Sequence, residues 1–149
     1  MAWTGNIINR ISEERMFCDE IKVGTGMTEY SYSDRDAYEV VAVKDQKHIT
    51  VREYDHRLKD GAPPYSNDWE LISDPSKPEC DMVKRGKYWY WVSTVTLEDL
   101  SRIKDQRDLL SLCVAGFDPD LIRKNGKQTR YRRAKVSFGV ADYYYDYSF

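Results

Sequence analysis

Ala37-Tyr38-Glu39-Val40-Val41-Ala42-Val43, then Lys44-Asp45-Gln46-Lys47, then His48-Ile49-Thr50-Val51-Arg52-Glu53-Tyr54 is the stretch that decides the fold. The first run is β-branched and aromatic, which suits a pleated, half-buried surface. In the second, Ile49 and Val51 alternate with Thr50 and Arg52, the two-residue period of a strand with one face in a core. The polar tetrapeptide between them reads as a hairpin loop. Working outward, Asp19–Gly24 reads as the start of a strand, with turns at Gly24-Thr25-Gly26 and Ser33-Asp34-Arg35-Asp36. Residues 55–68 read as loop, because Asp60-Gly61-Ala62-Pro63-Pro64 cannot occupy a central strand. Trp69–Ile72 is a short strand, Asp74–Pro78 a turn, and Lys84-Arg85-Gly86-Lys87 a tight connection after Val83. Tyr88-Trp89-Tyr90-Trp91-Val92-Ser93-Thr94-Val95 is the most strand-prone segment of all.

After Val95 the period changes. Thr96-Leu97-Glu98-Asp99 has the form of a capping box. The spacing of Leu97, Leu100, Ile103, Leu110 and Val114 predicts one amphipathic helix over 97–114, stopped at Gly116. Asp118-Pro119 predicts an N-cap and first turn of a second helix ending before Gly126. A strand over Ala134–Ala141 and an aromatic tail close the chain, and a short helix is expected within residues 1–18. The expected fold is α+β: an antiparallel β meander or small barrel in one domain over 1–149, with a helical insert near the C-terminus.

Composition narrows the function. The chain has 149 residues, and 23 basic against 25 acidic side chains give a net charge of −2. Such a balance argues against wholesale coating of nucleic acid. No stretch approaches the ~18 apolar residues of a spanning helix. Met1–Asn6 lacks a basic segment leading into an apolar run, so no signal peptide and a cytoplasmic location are expected. Cys18, Cys80 and Cys113 are odd in number and far apart, and His48 and His56 have no Cys nearby, so neither disulfides nor a metal or other cofactor is expected.

One charge feature stands out. From Leu121 to Ala141 lie Arg123, Lys124, Lys127, Arg130, Arg132, Arg133 and Lys135 with no acid, which leaves the other residues at −9 against the total of −2. Arginine forks donate paired hydrogen bonds to phosphate, so Arg130, Arg132 and Arg133, with Tyr131 among them, are candidate ligand-binding residues. A solvated basic sheet edge is the alternative. Arg35, Arg57 and Arg85 are the next candidates. The 12 Tyr and 4 Trp supply stacking faces. In a strand, Trp89 and Trp91 face one way and Tyr88 and Tyr90 the other. One pair must enter the core and the other is left for a partner or a nucleobase. His48-Ile49-Thr50 is half of a two-histidine phosphodiesterase signature, and no second copy follows, so no catalytic residue is assigned.

Val23-Gly24-Thr25-Gly26-Met27-Thr28-Glu29, Ser33-Asp34-Arg35 through Val43, Ile49-Thr50-Val51-Arg52 and the tail Tyr144-Tyr145-Asp146-Tyr147-Ser148-Phe149 resemble a group of small phage proteins. Through them the chain resembles Thoeris anti-defence proteins, sponges for cyclic ADP-ribose-type immune signals. The likeness covers 22–54 and 143–149 and is poor between. It implies a non-enzymatic, dimer-based oligomer that traps a signalling nucleotide in pockets shared between subunits, with aromatic stacking on the base and arginine clamps on the phosphates. Tyr32 stands where related sequences carry an aromatic. The family also implies arginines just before the tail, and Phe138–Asp142 carries none. A phosphodiesterase acting on such a signal, a single-stranded nucleic-acid-binding or other interaction module, and a virion or assembly protein whose aromatic surfaces pack on neighbours are the competing readings.

Overall fold

The computed structural model describes residues 20–147. The helix expected within 1–18, and the first residue of the expected strand at Asp19, lie outside them. The elements are β1 (Gly26–Tyr30), β2 (Arg35–Asp45), β3 (His48–Glu53), β4 (Asp55–Leu58), β5 (Trp69–Ile72), β6 (Glu79–Arg85), β7 (Tyr88–Thr96), three helices α1 (Leu97–Ser101), α2 (Gln106–Val114) and α3 (Pro119–Asn125), then β8 (Lys127–Ala134) and β9 (Val136–Phe138). Seven strands form one antiparallel sheet in the order β8-β7-β6-β3-β2-β1-β9, and β4 pairs with β5 in a separate ribbon. This is the expected α+β class.

The sheet curls because its two edges belong to one run of chain. Only Lys135 separates β8 from β9, yet β8 pairs with β7 and β9 with β1. The Tyr30 amide donates to the Lys135 carbonyl at 2.8 Å, carrying the pairing across the joint. Among the described strands β8 pairs only with β7, so its outer side is an edge, and the basic side chains along it discourage pairing with another chain. Inside the curl the two-residue period gathers Met27, Val40, Ile49, Val51, Met82, Trp89, Trp91, Ala134 and Phe138. The tryptophan pair therefore faces the core, and Tyr88 and Tyr90 face outward.

The hairpin at 37–54 forms as read, with local shifts. β2 begins two residues early, at Arg35, and runs through Lys44 to Asp45. The turn shrinks to Gln46-Lys47, where an Asp45 carboxylate oxygen accepts the Lys47 amide at 2.8 Å. Residues 20–25 are turn rather than strand. Gly24 takes φ +94° and donates its amide to the Val40 carbonyl at 2.8 Å, a geometry that favours glycine. β4 occupies part of the expected loop, because Asp55–Leu58 finds β5 as a partner and Arg57 pairs with Glu70 across the ribbon. β6 takes in Lys84 and Arg85, leaving Gly86-Lys87 as the turn.

The helix expected over 97–114 is two helices. Thr96 and Asp99 form the capping box, but Asp105 adopts an extended backbone and accepts the Arg107 amide at 2.8 Å, capping a new helix. A short carboxylate side chain competing for backbone amides breaks a helix in this way. α3 starts at Pro119 behind the Asp118 cap and stops at left-handed Gly126, as expected. Leu100, Phe117 and Ile122 close a second small core beneath these helices.

The strand expected over 134–141 is only Val136–Phe138. Beyond it the chain leaves the sheet and ties itself to Thr28, whose buried hydroxyl donates to the Val140 carbonyl at 2.8 Å and accepts the Asp142 amide at 3.0 Å. Thr28→Val keeps the shape and removes both bonds. It is expected to cost about 1–3 kcal/mol in urea unfolding, because two buried polar partners lose their contact.

Candidate ligand-binding site

Closure of the sheet sets the end of β8 against the end of β1 and the loop leading into β2. Between them is a cavity of about 670 Å³ lined by Glu29, Tyr32, Asp34, Arg35, Arg132, Arg133 and Lys135, with Tyr30 and two serines completing the wall. This is ample for a mononucleotide-sized ligand. Four cations face two carboxylates, an excess of two positive charges.

Arg35 is the most constrained of these side chains. It is only 9% exposed. Its backbone exchanges hydrogen bonds with Tyr144 at 2.9 and 3.0 Å, and its guanidinium carbon lies 5.0 Å from the Tyr144 ring centre. Its Nε has no hydrogen-bond partner, and no carboxylate among the described residues forms an ion pair with it. A cation this buried with no carboxylate at ion-pair distance is costly, and an anion in the adjoining cavity would relieve it. Arg132 stands on β8 opposite Trp91, and the Arg133 guanidinium carbon sits 3.7 Å from the centre of the Tyr88 ring. Glu29 is held in place by the Trp91 indole, whose Nε1 donates to it at 2.7 Å.

The aromatic tail fixes the loop that carries Arg35. Trp69 on β5 stacks on Tyr143 at 5.0 Å with an interplanar angle of 6°, and the His56 ring meets Tyr143 edge-on at 3.7 Å. Asn67 clasps the Tyr145 backbone, donating to its carbonyl and accepting its amide. Asp34 accepts the Asp146 amide at 2.6 Å. The tail is thus strapped to the β4–β5 ribbon on one side and to the cavity loop on the other.

The candidates from sequence divide. Tyr32, Arg35, Arg132 and Arg133 come together at the cavity, and Tyr32 is 96% exposed at its rim. Trp89 and Trp91 lie in the core at 9% and 8% exposure, so their faces are closed to a ligand. Arg57 is engaged by Glu70 on the ribbon. Arg85 and Tyr131 meet in a different groove. Arg130 lies over Gly116, where an added Cβ would come within 2.6 Å of its guanidinium. Glu29, Asp34 and Lys135 were not singled out from the sequence. Only their separate neighbours, the Ser-Asp-Arg turn and the basic run, mark them, and nothing local shows that the two segments meet. His48 is exposed and hydrogen-bonds Asp45 through Nδ1 at 2.8 and 3.0 Å, away from this cavity.

No protein-family model, curated protein or solved structure matches the chain. Among the described residues no helix is long and apolar enough to cross a membrane, and no group of three or more His, Cys, Asp or Glu is placed to hold a metal ion.

The strap has a pH signature. Burial, chiefly, holds His56 below its ordinary value of 6.5, with Lys77 acting in the same direction and Asp55 and Glu53 opposing. Above pH 6.5 the folded and unfolded rings are both neutral. Below it the unfolded ring takes up a proton that the folded ring resists, so this contribution to stability is lost as pH falls through the folded value. His56→Phe keeps a ring against Tyr143 and removes the proton. Urea unfolding at pH 7 and pH 5 is expected to show a smaller loss of stability in the variant than in the parent.

Proposed function

We propose that this chain is a phage anti-defence protein that binds and sequesters a cyclic ADP-ribose-type signal, or a similar cyclic nucleotide, in the host cytoplasm without cleaving it. The observation that carries the reading is Arg35: a buried side chain with an unpartnered Nε, lining a cavity that also holds Arg132, Arg133 and Lys135. The cavity's excess of two positive charges complements the two charges of a pyrophosphate, and arginine forks are the side chains that grip such groups through paired hydrogen bonds. Tyr32 offers a ring at the rim for a base. Beside its serines and carboxylates, the described lining of the cavity holds no histidine or cysteine. Capture without turnover needs neither. The resemblance adds the expectation that copies of the chain associate and share such pockets.

The test is capture and release. Protein incubated with cyclic ADP-ribose and filtered should retain the nucleotide, and heat denaturation should return it intact. Loss of one charge-assisted contact costs about 1.5–3 kcal/mol, a weakening of roughly ten- to a hundredfold. Arg132→Glu/Arg133→Glu is therefore expected to abolish retention while cooperative ligand-free unfolding is kept, its thermal midpoint lowered only by loss of the Arg133–Tyr88 contact. Arg130→Glu, outside the cavity, should retain the nucleotide. A converted nucleotide after heating would replace sequestration with hydrolysis. Stronger retention of long oligonucleotides than of the mononucleotide, steeply salt-dependent, would favour a single-strand binder.

A further inference from the structure

Arg85 and Tyr131, left out of the cavity, meet on the outer face of the sheet. Strand alternation turns Val83 and Arg85 of β6 outward, beside Val92 of β7 and Tyr131 of β8. These side chains, with Ala42, Lys44, His48, Thr50 and Asp81, enclose a groove of about 360 Å³. Its floor is apolar: Ala42, Val83 and Val92. Its wall is Tyr131, 45% exposed, with the Arg85 guanidinium carbon 4.0 Å from the ring centre. Among the described residues neither Arg85 nor Lys44 forms an ion pair. Asp81 is engaged by Thr50, whose hydroxyl donates to it at 2.8 Å. Two cations against one carboxylate leave a single positive charge in excess.

These features specify a ligand different from that of the first cavity. The apolar floor of Ala42, Val83 and Val92 desolvates a flat ring, and the single excess positive charge matches one anionic group. Arg85 is already fixed by stacking on Tyr131, so an anion meeting it pays little side-chain entropy. We propose that this outer groove is a second binding site, for a small planar aromatic molecule bearing one negative charge, its ring on the Ala42-Val83-Val92 floor and its charge between Arg85 and Lys44.

The probe is 2-naphthoate, followed by amide NMR of the isotope-labelled full chain. The expected result is saturable shifts at Ala42, Thr50, Val83 and Val92. Neutral 2-naphthamide and the puckered, saturated decahydronaphthoate should each bind about tenfold more weakly or worse, since one lacks the charge and the other the flat ring. Arg85→Gln should weaken 2-naphthoate by about the same factor while leaving the rest of the spectrum in place, because this exposed side chain enters no hydrogen bond or ion pair among the described residues. The proposal is overturned if the shifts fall at residues 29–35 instead, if the neutral amide binds as tightly, if Arg85→Gln binds unchanged, or if nothing binds at millimolar concentration. Pyrophosphate added to the saturated complex should shift residues 29–35 without displacing 2-naphthoate, so failure of one site is distinguishable from failure of the other.

Discussion

The stretch from Lys127 to Phe138 serves both edges of the sheet, and the rest of the molecule follows from that constraint. Its first part is hydrogen-bonded to β7 and its last part to β1, with Lys135 as the joint. Because no residues are spare at the joint, the sheet must curl until β1 and β7 flank one strand. The curl encloses Met27, Val40, Val51, Met82 and the two core tryptophans. It also brings the densest positive charge in the chain against the Ser-Asp-Arg turn. Two segments about a hundred residues apart then share one cavity wall.

The cavity's chemistry comes from what the closure leaves unpaired. A buried arginine is ordinarily balanced by a carboxylate, as Arg52 is by Glu39 at 2.8 Å. Arg35 has an aromatic ring beside it instead. Dispersion and cation–π attraction hold the guanidinium in place without neutralising it, so its charge stays available. The tail supplies that ring, and it is itself held by Trp69, His56 and Asn67. The abundance of tyrosine thus has two uses here. Tyr143, Tyr144 and Tyr145 build the frame of the site, and Tyr32 and Tyr131 offer rings to solvent at two separate depressions.

What could be read from the sequence was whatever short-range physics decides. The alternation of Ile49 and Val51, the Thr96–Asp99 box and the Asp118-Pro119 start each depend on neighbours a few residues away, and each appears as read. The split at Asp105 is also local, but the apolar spacing of Leu100, Ile103 and Leu110 masks it. Strand β4 was hidden because Asp55–Leu58 is held by β5 and by the tail, not by its own pattern. The basic run is legible as charge alone. Which arginine meets which surface depends on the closure of the sheet, and that is fixed by pairing between residues 29 and 136. Arg130 and Arg132, two residues apart, accordingly end at a helical loop and at the cavity.

On the proposed function, the Arg35 side chain receives an anion. The Nε–H resonance of Arg35, observed directly by NMR during titration with ADP-ribose, tests it without any substitution. A saturable downfield shift with slowed solvent exchange of that proton is expected, as the unpartnered donor gains an acceptor. Saturable binding of ADP-ribose with the Arg35 Nε–H signal unmoved, or no binding at all, would contradict it.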